Sequence, residues 1–469
     1  MVEKELVREK LYEKYIEPTK KKRQKYIGIE VEMPIINLDK QAVDFERIHK
    51  LTAKFMKHFQ FEVMSCDDEG NVNAVRHPEN GDILSYDCSY NNLELSLGKE
   101  KVLQALYQRF RDYYAYIQKE LKQYHYTLTG MGVNPYRDYN RNIPIPNGRY
   151  RMLFHHLNSY SKYQKLPLYF HEYPDYGLFS SASQVQLDVD YEDLTTAIRA
   201  FSRVEPVKAL LFNNSILTDE QEELACCRDM FWENSTHGIN PHNIGMFDCE
   251  IESVEELQSY IESTSMYCVE REEKYINFPP IPVMEYFERD VVTGEYYADG
   301  FYHEISFAPA IEDLDYLRTF KFEDLTFRGT IEFRSVCCQP IADVMTVSAF
   351  HLGLKMRLKE LDQLLQEDHV LYHHGFSATE LRKMFVKQEL PSFVEREELY
   401  RLAKQIVDLA KKGLQERGYG EEIYLEPLYK RIKQQLNPAQ KMLLRLRENK
   451  DIEDIILEYS RLDKQEYNP

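Results

Sequence analysis

Long apolar runs are missing from this chain of 469 residues, and none approaches the length needed to span a bilayer, so no membrane-spanning helix is expected. Cysteine is sparse: eight in the whole chain are too few for the disulfide framework of a small secreted domain. Cys226-Cys227 and Cys337-Cys338 are adjacent pairs without the spacing of a zinc site, so all eight read as free, mostly packed thiols. Positive charge is also short. Fifty-nine Lys and Arg face 78 Asp and Glu, and the net charge of −19 argues against a nucleic-acid backbone or an anionic membrane as partner. No Gly-rich nucleotide loop is present, because Thr129-Gly130-Met131-Gly132 is too short for either common type. No Gly-x-Ser-x-Gly elbow supports a serine hydrolase. His155-His156 and His373-His374 lack the four-residue spacing that puts two imidazoles on one helical face. The amino terminus, Met1-Val2-Glu3-Lys4-Glu5, carries charge where a signal peptide needs an apolar core, and the expected compartment is the cytoplasm.

What is present is a composition for a large core, 43% hydrophobic and 13% aromatic. Residues 3–24 read as an amino-terminal helix ending in a solvated basic run, Lys20-Lys21-Lys22-Arg23. A strand is expected over 25–36. A helix follows over 43–60, with Phe45, Ile48, Leu51, Phe55 and Phe59 at helical spacing. Residues 61–97 alternate short strands with turn signals, 99–124 form an amphipathic helix, and 125–180 are loop-rich. A strand over 183–190 leads into a helix over 191–211; residues 233–248 form a loop and 328–334 another strand. The last third, 341–469, is mostly helical. Strands interleave with helices but alternate polar and apolar residues, which favours a largely antiparallel sheet and an α+β fold. The expected organisation is an amino-terminal helix (1–24), a catalytic sheet-and-helix core (25–340) and a helical carboxy-terminal region (341–469), in one integrated unit.

The polar faces of these strands carry the chemistry. In Ile27-Gly28-Ile29-Glu30-Val31-Glu32, the two glutamates share a face, since alternate strand residues point the same way. Such a pair repels itself and resists desolvation unless a cation compensates it. Asn92-Leu93-Glu94-Leu95-Ser96 offers Glu94, with Asp87 seven residues earlier; 183–190 offers Gln184, Gln186, Asp188 and Asp190; 328–334 offers Glu332 and Arg334. On one sheet these side chains would form a pocket of hard oxygen ligands suited to Mg²⁺ or Mn²⁺. An arginine beside a carboxylate suits a phosphoryl group or carboxylate bridged by such metals. Ordinary solvent faces of half-buried strands are the competing reading.

These segments resemble, in order along the chain, the glutamate–cysteine ligase family, particularly its plant-type and actinobacterial branches. The opening Gly28-Ile29-Glu30-Val31-Glu32 is similar to the family's Gly-x-Glu-x-Glu strand, and Leu93-Glu94-Leu95-Ser96 to its Glu-Leu-Ser segment. Pro146-Asn147-Gly148-Arg149-Tyr150 resembles Pro-Lys-Gly-Arg-Tyr, and Ala209-Leu210-Leu211-Phe212-Asn213-Asn214-Ser215 resembles a helix end in those proteins. Arg228 and Trp232 fit an Arg-x-x-x-Trp pattern, while Thr330-Ile331-Glu332-Phe333-Arg334-Ser335 is similar to Tyr-Leu-Glu-Met-Arg-Gly.

The resemblance implies a fold akin to the catalytic domain of glutamine synthetase, a curved antiparallel funnel covered by helices. It also implies a reaction in which ATP phosphorylates the γ-carboxylate of glutamate and an amine, cysteine in the family, attacks the acyl phosphate. It implies Glu30, Glu32, Glu94, Gln184 and Glu332 as metal ligands, with Asp87 a weaker sixth. Arg334 is expected to grip the transferring phosphoryl group and Arg228 the α-carboxylate of glutamate. Gln186 is expected to line the nucleotide–metal site, Trp232 to wall the amino-acid pocket, and Arg149 to contact phosphate or substrate. Two segments depart from the family pattern: Glu233-Asn234-Ser235-Thr236-His237-Gly238 where an acidic run and an arginine are expected, and Ser335-Val336-Cys337-Cys338-Gln339-Pro340 in place of Gly-Ala-Asp. Both lie where glutamate and the acceptor should bind, so another amino acid, a polyamine or a peptide terminus is the alternative acceptor.

Overall fold

The computed structural model describes residues 3–217 and 223–462. Its centre is strand β1 (Ile27–Asn37), whose Ile27, Ile29, Val31, Met33 and Ile35 all point into the core while Gly28, Glu30 and Glu32 take the other face. Around it lie β2 (Glu62–Cys66), β3 (Val72–Arg76), β4 (Ile83–Tyr86), β5 (Asn92–Glu100), β6 (Tyr126–Leu128) and β7 (Ser183–Asp188). Further along come β8 (Ile244–Gly245), β9 (Ser265–Arg271), β10 (Lys274–Pro282), β11 (Val292–Ala298), β12 (Phe301–Phe307), β13 (Phe320–Lys321), β14 (Glu323–Leu325) and β15 (Thr330–Phe333). The main sheet runs β14-β15-β7-β1-β5-β4-β3-β2, with β6 pairing the far end of β1. Every pairing in it is antiparallel. Sequentially distant strands are therefore neighbours at its centre. The expected α+β class with a mainly antiparallel sheet is what the chain forms.

Helices Phe45–Phe59, Leu103–Lys122 and Val344–Met356 pack against the apolar side of this sheet; helix Arg396–Arg417 packs on Val344–Met356, and helix Ala378–Phe385 on Leu194–Phe212. One contiguous core reaches from Val7 to Leu428. Its continuity leaves the polar face of the sheet as the place where charged side chains can gather. No helix among the described residues is long and apolar enough to cross a membrane. All eight cysteines are free, six of them buried, as their sparse spacing implied.

Several elements differ from the expected boundaries for local reasons. The amino-terminal helix is α-helical only over Lys4–Leu11, continues as wider turns over Tyr12–Ile16, and tightens over Glu17–Lys20. Pro18 has no N–H to continue the regular ladder. The helix expected from 99 begins at Leu103, because β5 continues to Glu100. The loop-rich stretch contains a helix, Gly148–Leu157, capped by Asn147, whose side chain accepts the Tyr150 N–H at 2.8 Å. A second antiparallel sheet, β12-β11-β10-β9, was not anticipated. Its signal was present: Asp299 and Gly300 both have positive φ and join β11 to β12 as a two-residue hairpin turn, the backbone that Asp-Gly favours.

Candidate active site

The register of the main sheet assembles the acids. Glu32 on β1 stands opposite Glu94 on β5, Glu30 stands opposite Gln184 on β7, and Gln186 stands opposite Glu332 on β15. Because alternation is unbroken across these pairs, all six side chains share one face. Side-chain bonds then link them across the strands. The Gln184 amide donates to Glu32 Oε1 at 2.8 Å, and the Ala182 N–H donates to Glu32 Oε2 at 2.7 Å. The Gln186 amide donates both to Glu30 Oε1 at 3.0 Å and to Glu332 Oε1 at 2.7 Å. Arg328 donates to the Gln186 carbonyl oxygen at 2.8 Å, which fixes the amide so that its N–H₂ faces the acids. Arg334 Nη1 donates to Glu332 Oε2 at 2.7 Å.

This face opens on a cavity of about 620 Å³. Of the residues singled out from the sequence, Glu30, Glu32, Asp87, Glu94, Gln184, Arg149, Arg228, Trp232 and Arg334 line it. Gln186 and Glu332 are not on its wall but lie one hydrogen bond behind it, through Glu30 and Arg334. The cavity has two characters. One end is the acidic strand face. The other is aromatic and basic: Trp232 stacks on Phe320 with ring centres 4.9 Å apart and on His237 at 5.7 Å, with Tyr267 and the exposed Arg149 and Arg318 nearby on the wall.

Burial controls the protonation of the acidic end. Desolvation, followed by the charge of Asp87, lifts both Glu32 and Glu94 to about 8. Desolvation, then Glu332 and Glu94, raise Glu30 well above the ordinary carboxylate range, and burial raises Asp87 as well. These groups resist carrying negative charge together without a compensating cation. Burial alone would lower Arg334, but Glu332, Asp324 and Glu30 outweigh it and keep the guanidinium charged. Arg228 is buried; burial opposes its charge, while Cys337 and Glu32 restore it. Its Nη1 donates to the Ser335 carbonyl at 3.4 Å, and its Nε has no hydrogen-bond partner.

Among the described residues, no three His, Cys, Asp or Glu side chains are gathered tightly enough to cage a metal ion by themselves. The donor set nevertheless fits Mg²⁺ or Mn²⁺. Mg²⁺ typically uses one or two carboxylates and completes its shell with water and substrate phosphate, instead of an all-protein cage. The buried Gln184 Oε1, which lines the cavity and has no hydrogen-bond partner, is a hard oxygen of the kind that shell needs. Glu30, Glu32 and Glu94 stand beside it on the same face.

Residues 26–460 match Glutamate-cysteine ligase family 2 (GCS2). The chain belongs to this family. It is similar to the chloroplastic glutamate–cysteine ligases of Solanum lycopersicum, 25% identical over 311 residues, and Nicotiana tabacum, 24% identical over 314. Each match takes in 65% of this chain and 54% of the relative, so the chain spans about half the length of the curated relatives it matches. Two solved structures are distantly similar. One is a glutamate–cysteine ligase from Francisella tularensis in complex with AMP (TM-score 0.47, 12% identity, covering 95% of this chain and 89% of that one). The other is a bifunctional glutathione synthetase from Pasteurella multocida (TM-score 0.46, 11% identity, covering 97% and 52%).

Within this GCS2 chain, several residues of the site were not legible beforehand. Arg328 orients Gln186, and Asp324, on edge strand β14 opposite Glu332, faces Arg334 and is lifted by burial to about 6. His237 falls in one of the departing segments and is buried in the aromatic end, where desolvation lowers it to about 3 and keeps the ring neutral. Arg328 lies in the turn just before β15, four residues from Glu332, so its closeness in sequence to that glutamate was its one signal. Nothing in the local sequence marked Asp324 or His237.

Proposed function

We propose that this chain is an ATP-dependent γ-glutamyl ligase that uses Mg²⁺ or Mn²⁺ and joins glutamate to an amine, with cysteine as the acceptor suggested by its family. The observation that carries this reading is the convergence of Glu30, Glu32, Glu94, Gln184 and Glu332 from four adjacent strands on one face, beside Arg228 and Arg334. In the proposed reaction, a γ-carboxylate oxygen of glutamate attacks the terminal phosphorus of ATP and ADP leaves. The amine nitrogen of the acceptor then attacks the acyl carbon, phosphate departs, and the nitrogen loses a proton. Bound Mg²⁺ would supply charge neutralisation for the triphosphate and polarise the transferring phosphoryl group.

The chain's own residues position the reactants. Glu30, Glu32, Glu94, Gln184 and Glu332, with Asp87 as a weaker sixth, are the candidate metal ligands, and Gln186 ties Glu30 to Glu332 by donating to both. Arg334, held by Glu332, is aimed at developing charge on the phosphoryl group. Arg228, with an unpartnered Nε, is suited to the α-carboxylate of glutamate. Trp232 walls the amino-acid end, and Arg149 stands at the exposed wall for a second anionic group.

A second reading keeps this mechanism and changes the acceptor to another amino acid, a polyamine or a peptide terminus. It is favoured by the two departing segments: His237 lines the cavity, and Ser335 is buried directly behind Arg228. The test is ADP release from ATP, Mg²⁺ and glutamate with a panel of amines. A clear preference for cysteine supports the first reading, and release without preference for cysteine supports the second. No glutamate-dependent release with any amine contradicts both.

A further inference from the structure

Behind the cavity wall, five ionisable side chains are buried together, and none of them lines the cavity. Glu205 and Lys208 come from helix Leu194–Phe212, Asp229 from helix Cys227–Glu233, Glu323 from β14 and Arg382 from helix Ala378–Phe385. Buried charges are costly unless each finds a well-placed partner. Arg382 supplies most of that partnering. Its Nε and Nη2 donate to the two oxygens of Asp229 at 2.8 and 3.1 Å, and its Nη1 donates to Glu205 Oε2 at 2.9 Å and to the Glu205 carbonyl at 3.0 Å. Burial would raise Glu205, but Lys208 and Arg382 pull it down to about 2. Burial and Glu205 push Glu323 up so that it stays protonated. Two anions then balance two cations.

The network does not stop at charge balance. Ser335 Oγ donates to Glu205 Oε1 at 2.9 Å, and the Ser335 carbonyl accepts Arg228 Nη1 at 3.4 Å. Asp229 is the next residue after Arg228, and Ser335 the next after Arg334. Arg382, Glu205, Ser335, Arg228 and Asp229 therefore form a closed circuit that joins the two segments carrying the site's arginines. Buried ion networks are a weak source of stability, whereas a planar guanidinium fork fixes the geometry of what it bonds.

We propose that Arg382 is a positioning residue for the ligase reaction: it holds helix Cys227–Glu233 and the Arg334-Ser335 turn in one frame, setting where Arg228 meets glutamate. The inference rests on the ligase reading. The first variant to test is Arg382→Lys, which keeps the buried charge but loses the fork. Asp229→Asn, which keeps the shape of the clamp and removes one charge, is the second variant should the first fail to fold. Leu11→Ala, at the buried end of the amino-terminal helix, serves as a control that lowers stability away from the site.

Steady-state kinetics with glutamate and ATP varied separately, together with thermal melts, decide the matter. A folded Arg382→Lys or Asp229→Asn should raise the KM for glutamate about tenfold and cut kcat/KM for glutamate by up to about 100-fold, the scale of a misplaced reacting group. The KM for ATP should move less than about twofold, as expected when only one substrate's binding is disturbed. The Leu11→Ala control should lower Tm without moving either KM. An active wild type whose folded variants keep the wild-type KM for glutamate, or lose both KM values in parallel, would overturn the positioning role alone. An inactive wild type would overturn the ligase reading and this inference with it.

Discussion

Glu32 and Glu94 stand directly opposite each other on neighbouring antiparallel strands, and burial holds both carboxyls up to about 8. In the unfolded chain they titrate near 4.5. Between those values the folded protein keeps protons that the unfolded chain has released, so the folded state binds more protons and stability must fall as pH rises through this window. The raised Glu30 and Asp87 add to it with the same sign. The metal-free protein should therefore show a Tm that declines from pH 5 to pH 8, each such group contributing at most about 1.4 kcal/mol per pH unit. A divalent cation replaces those protons. Melts repeated with saturating Mg²⁺ should show a flatter decline and the largest gain near pH 8; a flat metal-free profile would count against the buried acidic cluster.

Substitution of single acids separates charge repulsion from ion pairing. Glu30 bonds only to Gln186 among the described side chains, so Glu30→Gln should leave Tm unchanged or raise it by relieving repulsion. Glu332 also holds Arg334, so Glu332→Gln should lower Tm by removing one partner of a half-buried ion pair. Both should reduce turnover by at least about 100-fold, the usual cost of losing one electrostatic stabiliser of a transition state. Paired melts and ADP-release rates check the two effects independently.

The two arginines should fail differently. Arg228→Lys should act chiefly on the KM for glutamate, because its proposed contact exists before and during reaction. Arg334→Lys should lower kcat by about 100-fold with a smaller change in KM, because its contact strengthens as phosphoryl charge develops. Varying glutamate at saturating ATP distinguishes them, and identical kinetic signatures would contradict the assigned roles.

Much of this site was legible in the sequence because strand alternation is a local rule. Glu30 with Glu32, and Glu332 with Arg334, needed only a period of two, and order along the chain tied those segments to one family. What alternation cannot give is adjacency. That β7 lies between β1 and β15, and that β5 flanks β1 on its other side, is decided by long-range packing of Val185, Ile29 and Leu95 into one core. Helix Gly148–Leu157 was hidden because Asn147-Gly148 reads equally as a turn and as a cap. The buried network around Arg382 was hidden more deeply, since its members come from separate parts of the chain with no shared spacing.

The segment Thr129-Gly130-Met131-Gly132, too short for a phosphate loop, has a packing role instead. A Cβ on Gly130 would lie 2.1 Å from the Gln339 carbonyl oxygen and 2.8 Å from the Ile341 nitrogen. Neither backbone group can yield easily. Gly130→Ala should destabilise the fold by about 1–3 kcal/mol, the scale of overpacking in a tight interior. Denaturant unfolding would measure this, and an unchanged midpoint would show that the 339–341 segment moves more freely than its contacts imply.

Binding of Mn²⁺ in the presence of a non-hydrolysable ATP analogue, followed by electron paramagnetic resonance, tests the shared metal–triphosphate site most directly. The wild type should bind Mn²⁺ far more tightly with the analogue than without it, and Glu30→Gln and Glu94→Gln should each lose that gain while remaining folded. Mn²⁺ affinity that is indifferent to the analogue, or unaltered in both variants, would contradict it.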